Sequence, residues 1–249
     1  MKALITGASS GIGADMARYL VSLGHEVILV ARRKAKLDKL AKELGDKAEV
    51  IVMDVSSTYN CMDLYSKLKK EKIDILINNA GFGLFGEFVN SSIDKELDMI
   101  DLNVKTVHTL TKLFLKDFKK RDSGYILNVA SSAGFLPGPL MSTYYATKAY
   151  VLHLTEAISE ELKVSGSNVK ISALCPGPVE TEFDKVANVS FNSRYMKSDV
   201  VAKYAIDKML KGKRVIIPGF KMKMAIFFMK FVPRNILAKI TYNIQKRKK

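Results

Sequence analysis

In STYYATKAY, residues 142–150, Tyr144 and Lys148 stand four residues apart, so on a helix they share one face. A phenol titrates at about 10, too high for a proton shuttle at neutral pH. An ammonium beside it favours the phenolate and lowers that value, each unit corresponding to about 1.4 kcal/mol. A tyrosine tuned in this way can give a proton to a ketone oxygen or take one from an alcohol. Tyr145, three residues before Lys148, competes for the same role. Taken alone, the pair is also what an ordinary amphipathic helix produces by chance.

A second group of residues lies near the start of the chain. TGASSGIG, residues 6–13, carries Gly7, Gly11 and Gly13 between an apolar run, KALI, and a helical pattern, ADMARYLVSLG. Glycine lets a backbone come close to a ligand, and a helix N-terminus attracts an anion through its unpaired N–H groups. A phosphate-cradling turn and a bare strand-to-helix connection are both compatible with these residues in isolation.

The elements that carry these residues decide between the two. KALIT (2–6), EVILV (26–30), AEVIVM (48–53), IDILIN (73–78), GYILNVA (124–130), NVKISAL (168–174) and RVIIP (214–218) are strand-like runs rich in Val, Ile and Leu. Helical patterns near 13–23, 34–44, 58–71, 92–121, 143–163 and 198–211 separate them. Strands without polar alternation are buried on both faces, and their alternation with helices predicts an α/β, doubly wound parallel sheet of seven strands with helices on both faces. Ligands of such sheets sit beyond the carboxyl ends of the strands. Gly7 to Gly13 follow the first strand, Arg32 and Arg33 the second, and Asp54 the third. Asn78 to Gly81 follow the fourth, Ser131 the fifth, and Pro176 and Gly177 the sixth. That shared location favours the cofactor reading of the glycine turn.

In this order the motifs resemble the short-chain dehydrogenase/reductase family, in its single-domain branch. TGASSGIG is similar to the family's TGxxxGxG turn, NNAG (78–81) to its NNAG, YYATK (144–148) to its YxxxK and PGPVETEF (176–183) to its PGxVxT. Ser131 lies thirteen residues before Tyr144, the family's usual gap, and Asn103 in DLNV resembles the family's helix-four asparagine. The resemblance covers residues 1–218 and implies a Rossmann-type fold. It also implies roles: Tyr144 as general acid/base, Lys148 holding the nicotinamide ribose and lowering the tyrosine pKa, Ser131 hydrogen-bonding the substrate oxygen, and Asn103 positioning a water in a proton relay. Ser132 is the alternative to Ser131, and the family's spacing selects between them. Implied cofactor contacts are Gly7, Ser9, Ser10, Gly11, Ile12 and Gly13 in the turn, Asp54 and Val55 near the adenine, and Asn79, Ala80 and Gly81 along the cleft. Tyr144, Lys148, Pro176, Gly177, Val179 and Thr181 complete the set, the last two at the carboxamide.

The residues after the second strand choose the cofactor. An acid there would hydrogen-bond the ribose 2′-hydroxyl of NAD; this chain has Ala31, Arg32, Arg33 and Lys34. Guanidinium suits a 2′-phosphate in shape and charge, so NADP(H) is expected. The expected activity is interconversion of a carbonyl and an alcohol on an apolar substrate. A polar sugar or polyol substrate, or a nucleotide-binding scaffold without catalysis, are the alternatives.

At 249 residues, 48% hydrophobic and 26% charged, the chain suits a globular α/β domain. The two cysteines, Cys61 and Cys175, lie far apart without metal spacing, and with Met1 and Lys2 leading straight into a strand they predict a reducing, cytoplasmic setting. The three histidines are scattered, and no metal site is expected. The formal charge of +15 is uneven: twelve of the 40 basic residues fall after residue 210, leaving 28 against all 25 acidic residues in the body. A nearly neutral body argues against nucleic-acid binding. The natural division is 1–219 as the cofactor-binding catalytic domain and 220–249 as a basic amphipathic extension. There Ile236, Leu237, Ile240 and Ile244 repeat at helical spacing among Arg234, Lys239 and Lys246, a pattern for an anionic membrane surface, for its own cleft, or for another subunit. By family analogy the chain is a homodimer or homotetramer. Residues 182–200 are expected to form a lid, with Phe183, Val186, Phe191 and Met196 over the substrate or in a satellite core.

Overall fold

Residues 1–183, 187 and 195–246 are described in a computed structural model of the chain. Strand β1 (Lys2–Thr6) pairs in parallel with β2 (Glu26–Ala31) on one side and β4 (Ile75–Asn78) on the other. With β3 (Ala48–Val52), β5 (Tyr125–Val129), β6 (Lys170–Leu174) and a short β9 (Val215–Ile216), the sheet has seven parallel strands in the order β3-β2-β1-β4-β5-β6-β9. This is a Rossmann-type α/β sheet.

The lack of polar alternation in the strands has a direct outcome. Ala3, Ile5, Val27, Leu29, Ile75 and Ile77 enter one apolar layer, and their neighbours Leu4, Ile28, Val30 and Leu76 enter the other. The first layer is covered by α1 (Gly11–Ser22), α2 (Lys34–Leu44) and α7 (Ser198–Leu210). The second is covered by α3 (Thr58–Lys67), α5 (Thr106–Lys120) and Leu162 of α6 (Ser142–Val164). Helices α1 and α7 bury Met16, Ala17 and Leu20 with Val201, Ala202, Ile206 and Met209; Tyr19 donates to Asp207 at 2.7 Å across the same seam.

Three local features depart from the sequence pattern. The long helix expected over 92–121 is interrupted: α4 (Ile93–Ile100) passes into a π-helical turn, Asp101–Lys105, before α5 begins. The segment after β6 is not simply a loop, since β7 (Val179–Glu180) pairs in parallel with β8 (Met196–Lys197). Met196 packs against the first apolar layer, the satellite-core alternative for that residue. The extension forms two helices, α8 (Phe220–Met229) and α9 (Arg234–Lys246). Pro233 parts them: it cannot donate to a continuing helix, and its carbonyl accepts the Leu237 N–H at 3.0 Å.

Candidate active site

Because the strands are parallel, all their carboxyl ends open on one edge, and β1 lies where the strand order reverses between β2 and β4. Thr6 ends β1, and its hydroxyl accepts from the backbone N–H groups of Asn79 (3.1 Å) and Ala80 (3.2 Å). The Asn79 amide donates to the carbonyls of Thr6 and Gly7, both at 3.1 Å. The first turn and the NNAG segment are thus stitched together. This explains two of the glycines. Gly7 has φ of +66°, and a Cβ on it would lie 2.8 Å from the Ala80 Cα. A Cβ on Gly13 would lie 2.4 Å from the Asn79 amide nitrogen. Both glycines therefore make room for Asn79 and Ala80. Gly11 instead faces the Thr181 methyl, and Ile12 packs on the first apolar layer.

Helix α1 begins without a side-chain cap at Ser10 and without an acid in its first turn, so its leading N–H groups are unspent on protein side chains. The Arg33 guanidinium lies over the same turn, donating to Ser9 (2.9 Å) and Ser10 (2.7 Å). Its third partner is the Glu182 carboxylate, 2.6 Å away, which Lys36 also holds. Lys36 and Arg33 keep the Glu182 carboxyl at about 2, well below its usual range. An anion thus already rests in a cradle of Arg33, Lys36 and Ser10. Arg32 turns to Asp54 at 3.4 Å. Burial pushes the Asp54 carboxyl up, but the Ser56 N–H it accepts at 3.0 Å and the nearby Arg32 outweigh this and hold it low. Val55 is buried behind it.

Ser131 ends β5 and caps a short turn, Ser132–Phe135, its Oγ accepting the Ala133 N–H at 3.1 Å. That turn lies directly on α6: a Cβ on Gly134 would be 2.8 Å from the Lys148 carbonyl. Ser131 hydrogen-bonds Tyr144, whereas Ser132 donates its backbone N–H to Pro176 at 2.8 Å. Of the two serines, the structure brings Ser131 to the phenol. Leu140, at φ +65°, bends the chain just before α6, and its carbonyl holds the Gly86 N–H at 2.8 Å.

Lys148 is buried, and its ammonium donates to the Val129 carbonyl at 2.8 Å and lies 5.8 Å from the Tyr144 ring centre. Burial lowers its pKa to about 8. Burial raises that of Tyr144, while the Ser131 hydrogen bond pulls it back down. The lowering expected from Lys148 is not among the influences on the phenol. The ammonium is aimed at a strand carbonyl, and burial sets the direction of the Tyr144 shift. Tyr145 points elsewhere, its ring filling the space over Gly138 and its hydroxyl accepting from Gln245 of α9. Of the two tyrosines, it is Tyr144 that stands beside Lys148 and Ser131.

Asn103 is fully buried in the π-helical turn. Its amide donates to the Phe82 carbonyl (2.9 Å) and to Thr147 (3.1 Å), and its Oδ1 accepts the Phe82 N–H (3.1 Å). Both amide hydrogens are spent on protein, so any water it positions must use the remaining lone pair of Oδ1. Gly81 lets Asn103 and Lys148 pack close to its backbone: a Cβ there would be 2.8 Å from that Oδ1 and 3.4 Å from the Lys148 ammonium. Thr181 accepts the Phe183 N–H at 3.2 Å, and Val179 is buried. The Phe183 ring lies 5.3 Å from that of Tyr144, over the phenol as a lid residue would be. Val186 and Phe191 lie outside the described residues. The Met222 methyl of α8 fills the space over Gly177.

Glu182 and Gln245 are the participants that motif reading passed over. Glu182 sits inside PGPVETEF but directly after the six positions that the motif covers. Gln245 lies a hundred residues from its partner, with no local signal. Among the described residues no group of three or more His, Cys, Asp or Glu is gathered to hold a metal.

The uncapped α1 terminus, the Arg33 cradle and a buried ammonium beside Gly81 fit a dinucleotide. A family model described as short chain dehydrogenase matches residues 1–190. A very-long-chain 3-oxoacyl-CoA reductase of Anas platyrhynchos is 34% identical over 199 residues, 76% of this chain and 63% of that protein. Among solved structures, a short-chain dehydrogenase from Sphingobium yanoikuyae in complex with NADPH is 32% identical, with a TM-score of 0.82 over 94% of this chain and 96% of that one. A short-chain dehydrogenase/reductase from Burkholderia phymatum in complex with NAD is 25% identical, also at 0.82, over 90% and 91%.

Proposed function

The chain belongs to the short-chain dehydrogenase/reductase family, and from that premise we propose that it is an NADP(H)-dependent oxidoreductase that reduces an apolar ketone or aldehyde to the alcohol. The observation that carries this reading is the convergence of Ser131 and Lys148 on Tyr144, at the corner where Lys148 meets Gly81. The nicotinamide, when bound, supplies the hydride. The Tyr144 hydroxyl donates the proton to the substrate oxygen, and Ser131 hydrogen-bonds that oxygen as negative charge develops on it. Lys148, pKa about 8, holds the ribose hydroxyls and keeps a positive charge beside the phenol at neutral pH, steadying the phenolate left after transfer. Asn103 keeps the Phe82 loop against α6 and so holds the corner beside Lys148 in place.

The NADP preference is supported by Arg33 and Lys36, two cations that already hold the Glu182 carboxylate and would meet a 2′-phosphate in the same way. An apolar substrate is supported by Phe183 over Tyr144 and by Met222 over Gly177, and the Anas platyrhynchos relative, named as a 3-oxoacyl-CoA reductase, makes acyl-chain ketones the first class to try. Tyr144→Phe tests the mechanism. Turnover falls by about 10²–10⁴-fold, the usual worth of a positioned acid, while NADPH affinity read by nicotinamide fluorescence stays within about twofold. Turnover at the parent rate would remove Tyr144 from the mechanism.

A further inference from the structure

Helices α8 and α9 each carry two apolar faces, and the body uses only one. Met222 and Ile226 of α8 and Leu237, Thr241 and Gln245 of α9 turn inward. Outward lie Phe220 (76% exposed), Phe227, Phe228 and Phe231 (72%), followed by Ile236, Ile240 and Ile244. The Phe227 ring lies 5.6 Å from Phe228 and 5.5 Å from Phe231, an aromatic cluster facing solvent. The isoleucines recur every four residues, one stripe beside the buried Leu237–Thr241–Gln245 stripe. The exposed Lys221, Lys230, Arg234, Lys239 and Lys246 border this face, and from Lys211 onward the chain contains no acidic residue.

We infer that this outward face of α8 and α9 docks on an anionic lipid surface, its phenylalanines and isoleucines entering the boundary between headgroups and acyl chains and its basic side chains meeting the lipid phosphates. Aromatic and aliphatic residues flanked by cations, on helices too short to cross a bilayer, have the character of helices that lie in that plane. Charge selects this occupant over a second copy of the chain. A two-fold pairing of the face would set one basic rim against another with no acid from the segment to meet it. The inner faces already hold the helices to the body, so docking requires no unfolding.

Co-sedimentation of the full-length protein with vesicles tests this and reads no turnover, so it stands or falls apart from the oxidoreductase reading. Binding to phosphatidylcholine vesicles containing phosphatidylglycerol is expected at least about tenfold above binding to phosphatidylcholine alone, and to weaken as salt is added. A variant with Phe227→Ser, Phe228→Ser and Phe231→Ser loses at least about tenfold in vesicle binding with its thermal midpoint unchanged. A second variant, Lys230→Gln, Lys239→Gln and Lys246→Gln, loses the preference for anionic over neutral vesicles, which supports the inference even if the first variant fails to fold. Equal binding to both vesicle types, or parent-level binding by a folded serine variant, overturns it. So does a parent protein that ignores vesicles and a serine variant that dissociates from dimer to monomer, which would give the face to a second copy.

Discussion

At Arg33 two anions have a claim on one guanidinium. The Glu182 carboxylate holds it at 2.6 Å, in the cradle where a 2′-phosphate would rest. Arg33→Ala is expected to lower kcat/KM for NADPH by about 10–100-fold, the worth of one or two charge-assisted hydrogen bonds, with little change for NADH. Glu182→Gln is expected to act oppositely, lowering KM for NADPH severalfold by removing the internal competitor. Steady-state kinetics with both cofactors reads both variants, and a better NADH than NADPH reaction in the parent would refute the preference. Lys148 gives a prediction for stability against pH. Its folded pKa, about 8, lies below the unfolded value of 10.5, so within that window the unfolded chain binds a proton the folded chain has released. Stability therefore rises with pH from about 8 toward 10.5; below 8 both forms are charged and the burial cost is fully present. Thermal unfolding between pH 7 and 10 should show this rise in the parent and lose it in Lys148→Met. Motif spacing made Tyr144, Lys148 and Ser131 legible because all three lie at ends of elements whose register the motif already sets. The Tyr144 environment was not legible. That the lysine faces a strand carbonyl and that burial dominates the phenol are facts of packing, which spacing does not encode.

At the scale of elements, the glycine turn and the NNAG segment are one unit, since β1 and β4 are neighbours in the sheet. Gly7→Ala would need a positive φ and would press a methyl to 2.8 Å from backbone at Ala80. Its cost is about 2–4 kcal/mol in urea unfolding, from backbone strain and overpacking together. Unchanged stability would mean the two segments part more readily than their hydrogen bonds suggest. The seven strands and their parallel sheet were readable from the apolar runs and their helical separators, because both sheet faces are covered and the strands needed no polar alternation. The π-helical turn at Asp101–Lys105 was not, since its residues fit a regular helix equally well and only the contacts of Asn103 with Phe82 and Thr147 distinguish it. The extension was half legible. Its helical period was visible in Ile236, Leu237, Ile240 and Ile244, a face left to a membrane, its own cleft or another subunit. The body instead takes the neighbouring stripe, where Gln245 can reach the Tyr145 hydroxyl.

On the scale of the whole molecule, the extension meets the body at Gly177 through Met222 and at Tyr145 through Gln245, while the described contacts of the glycine turn come from elsewhere. Ending the chain at Gly219 should therefore leave NADPH affinity within about threefold, since no cofactor-side hydrogen bond is lost. KM for an apolar ketone should rise at least severalfold as the apolar wall is removed. Kinetics with a ketone series measures both, and a large loss of NADPH affinity would show that 1–219 is not an independent cofactor-binding unit. The seam between α1 and α7 carries a further consequence. The helix that follows the glycine turn is translated well before the apolar partner that buries its Met16 and Leu20, which ends at Leu210. At about 5–20 residues per second on a ribosome, that greasy stripe waits roughly ten to forty seconds for its cover. A nascent polypeptide stalled short of Ser198 would thus offer a half-made nucleotide turn to chaperones rather than to NADPH.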